Sequence, residues 1–450
     1  MARKGLPGLT AQLKDKLIQQ ALERRLRRVE DSANDTQPMR PLTGTVQDIP
    51  EQFYRFHLHP GYQQLRIIND GAARLGIASP FFKQHETVAG ASTLIGAKRY
   101  INYGSYNYLG MSGDPVVSEA AKRAIDQYGT SVSASRIVSG ERALHRDFEK
   151  ALAKAYDVDD AIVFVSGHAT NVTTIGYLFG PKDLVLHDSL IHNCTLQGAQ
   201  LSGAKRLSFP HNDFEALDKI LSEQRRFYER VLIVLEGIYS MDGDFPDLPR
   251  FVEIKNRHRA FLMVDEAHSF GVMGATGMGI REHFGMAGRD VDIWMGTLSK
   301  ALAGCGGYIA GESALVEHLK FMAPGFLYSV GMAPPLAAAS LAALNLMQKT
   351  PERVAKLQAR GKFFLEKAKF AGIDTGTSVG LAVIPAIVGS SLKAVRLSDA
   401  LFRRGINVQP ILYPAVPEKA ARLRFFVSCE HTEAELSDTV QALVEELDRL

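Results

Sequence analysis

The chain has 450 residues, 46% hydrophobic and 22% charged, which is the composition of a soluble globular enzyme with one large and one smaller domain. A formal net charge of +3 is too near neutral to imply a nucleic-acid partner. Cys194, Cys305 and Cys429 lie far apart and form no metal-type spacing, which points to a reducing, cytoplasmic setting without structural disulfides.

The amino terminus lacks the apolar core of a signal peptide. Residues 9–29 carry a helical pattern, with Leu9, Leu13, Leu17, Leu22, Leu26 and Val29 near one face. Lys14, Lys16, Arg24, Arg25, Arg27 and Arg28 crowd the others. A solvated charged face accounts for this pattern; the sharper alternative is a helix that docks an acidic partner such as a carrier protein. Residues 31–50 have the composition of a linker, so the compact enzyme is expected to start near Phe53. The expected division is 1–50, a basic helix and linker; 51–100, an entry segment; 101–345, a large domain; and 346–450, a small one.

From about residue 100 helical and strand patterns alternate. Pro115–Tyr128 and Leu144–Tyr156 read as helices. Short apolar runs follow at 161–165, 184–187, 206–209, 231–235, 261–264 and 307–310. Strands alternating with helices predict an α/β fold built on a largely parallel sheet covered on both faces. The apolar stretch 330–347 contains Pro334, Pro335 and Ser340 and reads as a buried helix, not a membrane span. After residue 350 a long helix (351–371) leads to strands near 381–388, 408–411 and 422–427. A Thr432-x-x-Glu435 capping box then opens a last helix. This texture predicts a smaller α+β domain.

The chemistry collects where strands end, as ligands do in open α/β sheets. Lys300 follows a short apolar run at 291–295 and the hydroxyls of Thr297 and Ser299, and precedes a glycine-rich stretch. A lysine in an apolar pocket has a lowered pKa and forms a Schiff base with a carbonyl compound, and the two hydroxyls suit an anion such as a phosphate. Asp265 directly follows the 261–264 run, with His268 three residues on. A carboxylate there suits a pyridinium nitrogen; at about 4 Å and an effective dielectric near 20 the attraction is about 4 kcal/mol before desolvation. Ser166–Asn171 follows another strand and precedes a helix, which makes Gly167 and His168 candidates for a phosphate site. His187–Asn193 follows the next strand, and an imidazole there, His187 or His192, could stack on a cofactor ring. Asp188-Ser189-Leu190 has the look of a phosphopantetheine attachment triplet, but it lies inside the α/β domain, which rules that reading out.

Taken in order, Asn107-Tyr108-Leu109-Gly110, Ser166–Asn171, His192, Ser240–Asp244, Asp265–Gly271, Thr297–Lys300 and Arg422–Arg424 resemble the α-oxoamine synthases. These are fold-type I pyridoxal phosphate enzymes that include serine palmitoyltransferase and amino-oxononanoate synthase. The resemblance runs from about residue 100 to the end. Gly104–Met111 is similar to the serine palmitoyltransferase branch. Residues 49–56 and 62–64 are similar to synthases associated with polyketide assembly lines.

The resemblance implies a fold-type I transferase, acting in the cytoplasm as a homodimer with shared active sites and pyridoxal 5'-phosphate as cofactor. It implies that Lys300 holds the cofactor and acts as base, that His192 stacks on its ring and that Asp265 pairs with its nitrogen. His268 and Ser240 would lie near its phenolic oxygen. Gly167, His168, Thr297 and Ser299 would hold the phosphate. Asn107 and Arg424 would bind the amino-acid carboxylate, with Arg422 the competitor for the second role. Tyr328–Pro334, with Ser329, matches the segment that reaches the partner's phosphate, although Gly331 and Ala333 depart from the usual serine and proline.

The implied reaction is a decarboxylative condensation of serine, alanine or glycine with an acyl-CoA or acyl-carrier thioester. An aminotransferase or lyase on the same fold and a non-catalytic stabilising subunit are the alternatives. No metal and no membrane segment are expected.

Overall fold

The computed structural model describes residues 46, 49–74, 76 and 78–450. The expected basic helix at 9–29 and most of the linker lie outside the described residues. Glu51–Phe53 and Phe56–Leu58 form short helical turns with no buried residue, and Pro60–Arg74 is a helix. Phe53 and Phe56 are exposed, so the stretch expected to open the compact enzyme adds little to its core.

Thirteen strands are found among the described residues, β1 (Ser92–Ile95), β2 (Lys98–Asn102), β3 (Asp160–Phe164), β4 (Leu184–Asp188), β5 (Lys205–Phe209), β6 (Val231–Glu236), β7 (Phe261–Asp265), β8 (Ile293–Thr297), β9 (Gly307–Gly311), β10 (Val383–Ile387), β11 (Ile406–Asn407), β12 (Gln409–Ile411) and β13 (Arg422–Phe426). Strands β3 to β9 build one seven-stranded sheet in the order β3-β9-β8-β7-β6-β4-β5. Pairing is parallel from β5 through β8, and β9 runs antiparallel to both β8 and β3. Side chains alternate across the sheet, and both faces are covered. On β6, Val231, Ile233 and Leu235 pack into one buried cluster while Leu232 and Val234 pack into another. That is why the run reads as continuously apolar.

The apolar stretch after residue 330 forms the helix Pro334–Lys349, with Ala337, Ala343, Leu344 and Met347 fully buried. Among the described residues no helix is long and apolar enough to cross a membrane. Thr350 alone separates this helix from Pro351–Phe370. The boundary expected between residues 345 and 346 therefore falls inside a helix. Proline at the first position of each helix starts it without a longer loop.

The antiparallel sheet β10-β13-β12 packs with Pro351–Phe370, Ser391–Arg403 and Glu433–Leu447 around a separate buried cluster. A third sheet, β1-β2-β11, ties the entry segment to the carboxyl-terminal unit, because β2 pairs in parallel with β11. Asn102 and Asn407 also bond side chain to side chain (2.9 Å). The sequence gives no strand signal at β1 or β2, since Lys98 and Arg99 interrupt the apolar pattern and β1 is only four residues long.

Candidate active site

Strand pairing sets the floor of one cavity. In the β6–β7 register Glu236 lies opposite Asp265, so the buried last residues of two strands bring two carboxyl groups side by side. The cavity holds about 340 Å3, and its lining includes Lys300, Asp265, His268, His192, Ser240 and Arg424. Gly167, His168, Thr297 and Ser299 line it too. Residues from β3 to β8 and from β13 thus meet at the carboxyl ends of the large sheet, between the two structural units.

Asp265 accepts hydrogen bonds from the side-chain amide of Asn171 (2.8 Å) and the backbone N–H of Ala267 (2.9 Å). The same Asn171 amide donates to Cys194 Sγ (3.0 Å), and Cys194 Sγ lies 2.8 Å from His192 Nδ1. The Cys194 backbone N–H also donates to that Nδ1 (3.3 Å). Burial lowers the His192 pKa, so the ring is neutral and carries its proton on Nε2. Burial, reinforced by the Lys300 and Arg424 charges, holds His268 well below its ordinary value. Its Nδ1 lies 2.8 Å from the Tyr108 hydroxyl, and its ring stacks on Phe426.

Glu236 accepts the backbone N–H of His192 at one oxygen (2.7 Å) and that of Ser240 at the other (3.2 Å). Burial, then the neighbouring Asp265 charge, pushes its carboxyl up to about 8. Lys300 moves the other way. Burial lowers its amine to about 8, against the opposing pull of Asp265 and Glu236. Its Nζ stands 5.4 Å from the Tyr106 ring centroid.

Ser166 caps the helix Gly167–Leu178, its hydroxyl accepting the Ala169 N–H (3.3 Å). Gly167 and His168 occupy the first helical positions, where backbone N–H groups have no intrahelical acceptor. A Cβ on Gly167 would come within 2.7 Å of Thr297 Oγ1, so only glycine leaves this corner open. Helix N-terminus, glycine and paired hydroxyls together form a cradle for an anion.

The two arginines of β13 have different surroundings. Arg422 is spent on Asp242 (2.6 Å) and on the carbonyls of Met241 and Ala420. Arg424 donates Nη1 to the Ser240 carbonyl (2.9 Å), lies over the Phe426 ring, and keeps a buried Nε with no partner.

Two expected residues lie elsewhere. Asn107 is not in the cavity lining: its Oδ1 accepts the Ser112 N–H (3.1 Å) and it borders a separate depression with Gly110 and Glu430. Its neighbour Tyr106 lines the cavity instead, because the turn that buries Tyr108 rotates Tyr106 inward. Ser329 also stands outside the lining, its hydroxyl bonded to the Gly325 carbonyl (2.7 Å) on a segment that exposes Tyr328 and Val330. Tyr106, Asn171, Cys194 and Glu236 are site residues that reading the sequence did not single out. The strand-end position of Glu236, parallel to that of Asp265, was the available signal.

The residues present fit a phosphate-bearing pyridine. Asn171 Oδ1 and Arg424 Nε are buried without partners, the Gly167 corner is open, and the Asp265 carboxyl lies on the floor.

Residues 98–443 match the family described as aminotransferase class I and II. The chain is 38% identical over 373 residues to the 8-amino-7-oxononanoate synthase of Symbiobacterium thermophilum, covering 83% of this chain and 94% of that one. It is 37% identical over 347 residues to the 4-hydroxy-2,2'-bipyrrole-5-methanol synthase of a Serratia species, covering 77% of this chain and 53% of that one. Its fold is similar to the serine palmitoyltransferase of Sphingomonas wittichii, with a TM-score of 0.82 and 28% identity over 86% of this chain and 97% of the other.

Proposed function

Because the chain belongs to the class I and II aminotransferase family and, within it, to the α-oxoamine synthases, we propose that it condenses serine, alanine or glycine with an acyl thioester. Carbon dioxide and the thiol leave, and the product is an α-amino ketone. The observation that carries this reading is a lysine sharing one buried cavity with two carboxyl groups, a helix N-terminus with paired hydroxyls, and an arginine whose buried Nε has no partner.

Pyridoxal 5'-phosphate, when bound, supplies an aldehyde that joins an amino group and a ring that draws off the electron pair left at the α-carbon. Gly167, His168, Thr297 and Ser299 would hold its phosphate, and His192 would cover its ring. Asp265 supplies the charge that keeps the ring nitrogen protonated, and Ser240 and His268 serve its phenolic edge. Arg424 receives the amino-acid carboxylate in a planar fork, a role that the engagement of Arg422 with Asp242 supports. Lys300 Nζ takes the α-proton and returns a proton to the same carbon; a value of about 8 leaves about a tenth of the amine as free base at pH 7. His192 and His268 are neutral, so they add no charge to compete with Lys300.

A homodimer is part of this proposal. The segments carrying Tyr328 and Val330 and carrying Ile137 and Val138 meet where the Gly331 N–H donates to the Ala134 carbonyl (3.0 Å), and all four apolar side chains are exposed. That patch suits burial against a second copy, where Ser329 would approach the partner's phosphate site. Three unpaired cysteines support a cytoplasmic setting. The thioester is acyl-CoA or an acyl carrier supplied in trans.

The test is carbon dioxide release from each amino acid, with acyl-CoA and acyl-carrier donors in parallel. Release is expected to need the thioester, and Lys300→Ala is expected to abolish it. Transamination without a thioester, or an active Lys300→Ala protein, would overturn the assignment. Purified protein without any cofactor band would favour a stabilising subunit.

A further inference from the structure

His211 stands just outside the cavity and has no part in the reaction as proposed. It follows β5, and both of its ring nitrogens face carboxyl groups. Nδ1 lies 2.9 Å from Asp188 Oδ1, and Nε2 lies 3.0 Å from Asp244 Oδ2. Carboxylate oxygens only accept hydrogen bonds, so a ring bracketed in this way needs a proton on each nitrogen. The other neighbours are the edge of Tyr239, 4.5 Å between ring centroids, and the Asn212 amide at 3.3 Å from Nε2. Neither brings a second cation. Asp188 ends β4 and also accepts the N–H groups of Leu190 (2.8 Å) and Asn212 (2.7 Å), so it is a fixed post.

Asp244 belongs to a different segment. Its carbonyl accepts the Tyr239 N–H (2.9 Å), and the Gly243 N–H donates back to the Tyr239 carbonyl (2.8 Å), closing a tight turn. That turn brings Ser240 and Met241 into the cavity and offers Arg424 the Ser240 carbonyl. Its geometry is held on one flank by Arg422 on Asp242 and on the other by His211 on Asp244.

We propose that His211 is a permanently charged positioning residue, which fastens the 239–244 turn to the end of β4 and so sets Ser240 and Arg424 at the amino-acid end of the cavity. The role rests on reading the cavity as the catalytic site; the charge does not. Burial opposes the charge, but the hydrogen bonds to Asp188 and Asp244 outweigh it and raise the imidazole to about 10. The ring therefore keeps its proton until pH nears about 10, while the stability that the clamp adds is full below the ordinary histidine range and is lost as pH rises through about 10.

The first measurement is histidine nitrogen NMR of the full chain, with the His211 signals identified by their loss in His211→Gln. Imidazolium shifts are expected to persist from pH 6 to 9. A neutral tautomer at pH 8 would overturn the charge assignment whether or not the protein is an α-oxoamine synthase.

The second measurement is steady-state kinetics of His211→Gln and Asp244→Asn. Each is expected to lower kcat/KM for the amino acid by about 100-fold and to leave the KM for the thioester within about twofold, the double variant being no worse than either single one. Equal losses for both substrates, or losses that multiply in the double variant, would reduce His211 to a structural ion pair. If the variants fail to fold, the His211 signals are assigned in the parent chain through their through-space contacts with the Tyr239 ring, and that result still decides the charge.

Discussion

Lys300 and Glu236 carry opposite ordinary charges in one space, and burial drives both toward neutrality near pH 8. The lysine result is the more useful, because a free amine is what captures an aldehyde. In the cofactor-free protein the rate of pyridoxal phosphate capture should climb about tenfold per pH unit up to about pH 8 and then level off. Stopped-flow absorbance would read this, and a half-point near 10 would contradict the buried setting. The folded amine binds its proton less tightly than the unfolded one, so Lys300 favours unfolding below about pH 8 and ceases to do so as pH rises toward 10.5. At this scale the sequence was most informative about residues that follow a strand directly. Asp265, His192 and Lys300 could be placed by counting from apolar runs. Asn107 could not, because its orientation depends on a turn whose direction is set by the packing of Tyr108 and not by local pattern. Glu236 stands at a strand end in the sequence but drew no role, because a carboxyl that only holds two backbone N–H groups leaves no mark in composition.

The helix Gly167–Leu178 shows how one element serves two purposes. Its amino-terminal turn forms the anion cradle, and its third turn is buried against the sheet through Thr174 and Ile175. Gly167→Ala should therefore leave the fold intact yet push Thr297 Oγ1 out of place, since the added Cβ crowds that side chain while the nearest backbone atom, the Gly306 oxygen, stays at an ordinary 3.4 Å. The expected outcome is a Kd for pyridoxal phosphate raised about tenfold or more, read by fluorescence titration, with a melting temperature within a few degrees of the parent. A change in melting temperature alone, with cofactor affinity preserved, would remove Gly167 from the cradle. Most strands of the large sheet were visible as apolar runs because both their faces are buried. β8 was seen only as an apolar run before Lys300, and β1 and β2 escaped notice. Short strands that pair at an edge need few apolar residues, and their signal is the partner strand, which lies far away in sequence.

The larger unit buries a cluster on each face of its sheet and the smaller unit a third, and the cavity and the β1-β2-β11 sheet join the two units. Arg422 and Arg424 cross from the smaller unit to the 240–242 turn of the larger one, so the amino-acid end of the site exists only when the units are docked. The apolar patch of Ile137, Val138, Tyr328 and Val330 predicts that assembly goes further still. Replacing Val138 and Tyr328 together by aspartate should convert the protein to a monomer in sedimentation experiments and remove activity, because desolvating two new carboxylates at an interface is prohibitive. A persisting dimer would move the interface elsewhere. The domain division was the least legible feature, since the entry segment joins the carboxyl-terminal unit through contacts that no local window contains. That joining has a consequence for synthesis. Strand β2 pairs with β11, and the Asn102–Asn407 bond spans 305 residues. At about 5–20 residues per second, the ribosome needs roughly 15 to 60 seconds to deliver the partner. During that interval the β2 edge of the newborn segment 92–102 is unpaired, open to a chaperone or protease that reads unpaired strands.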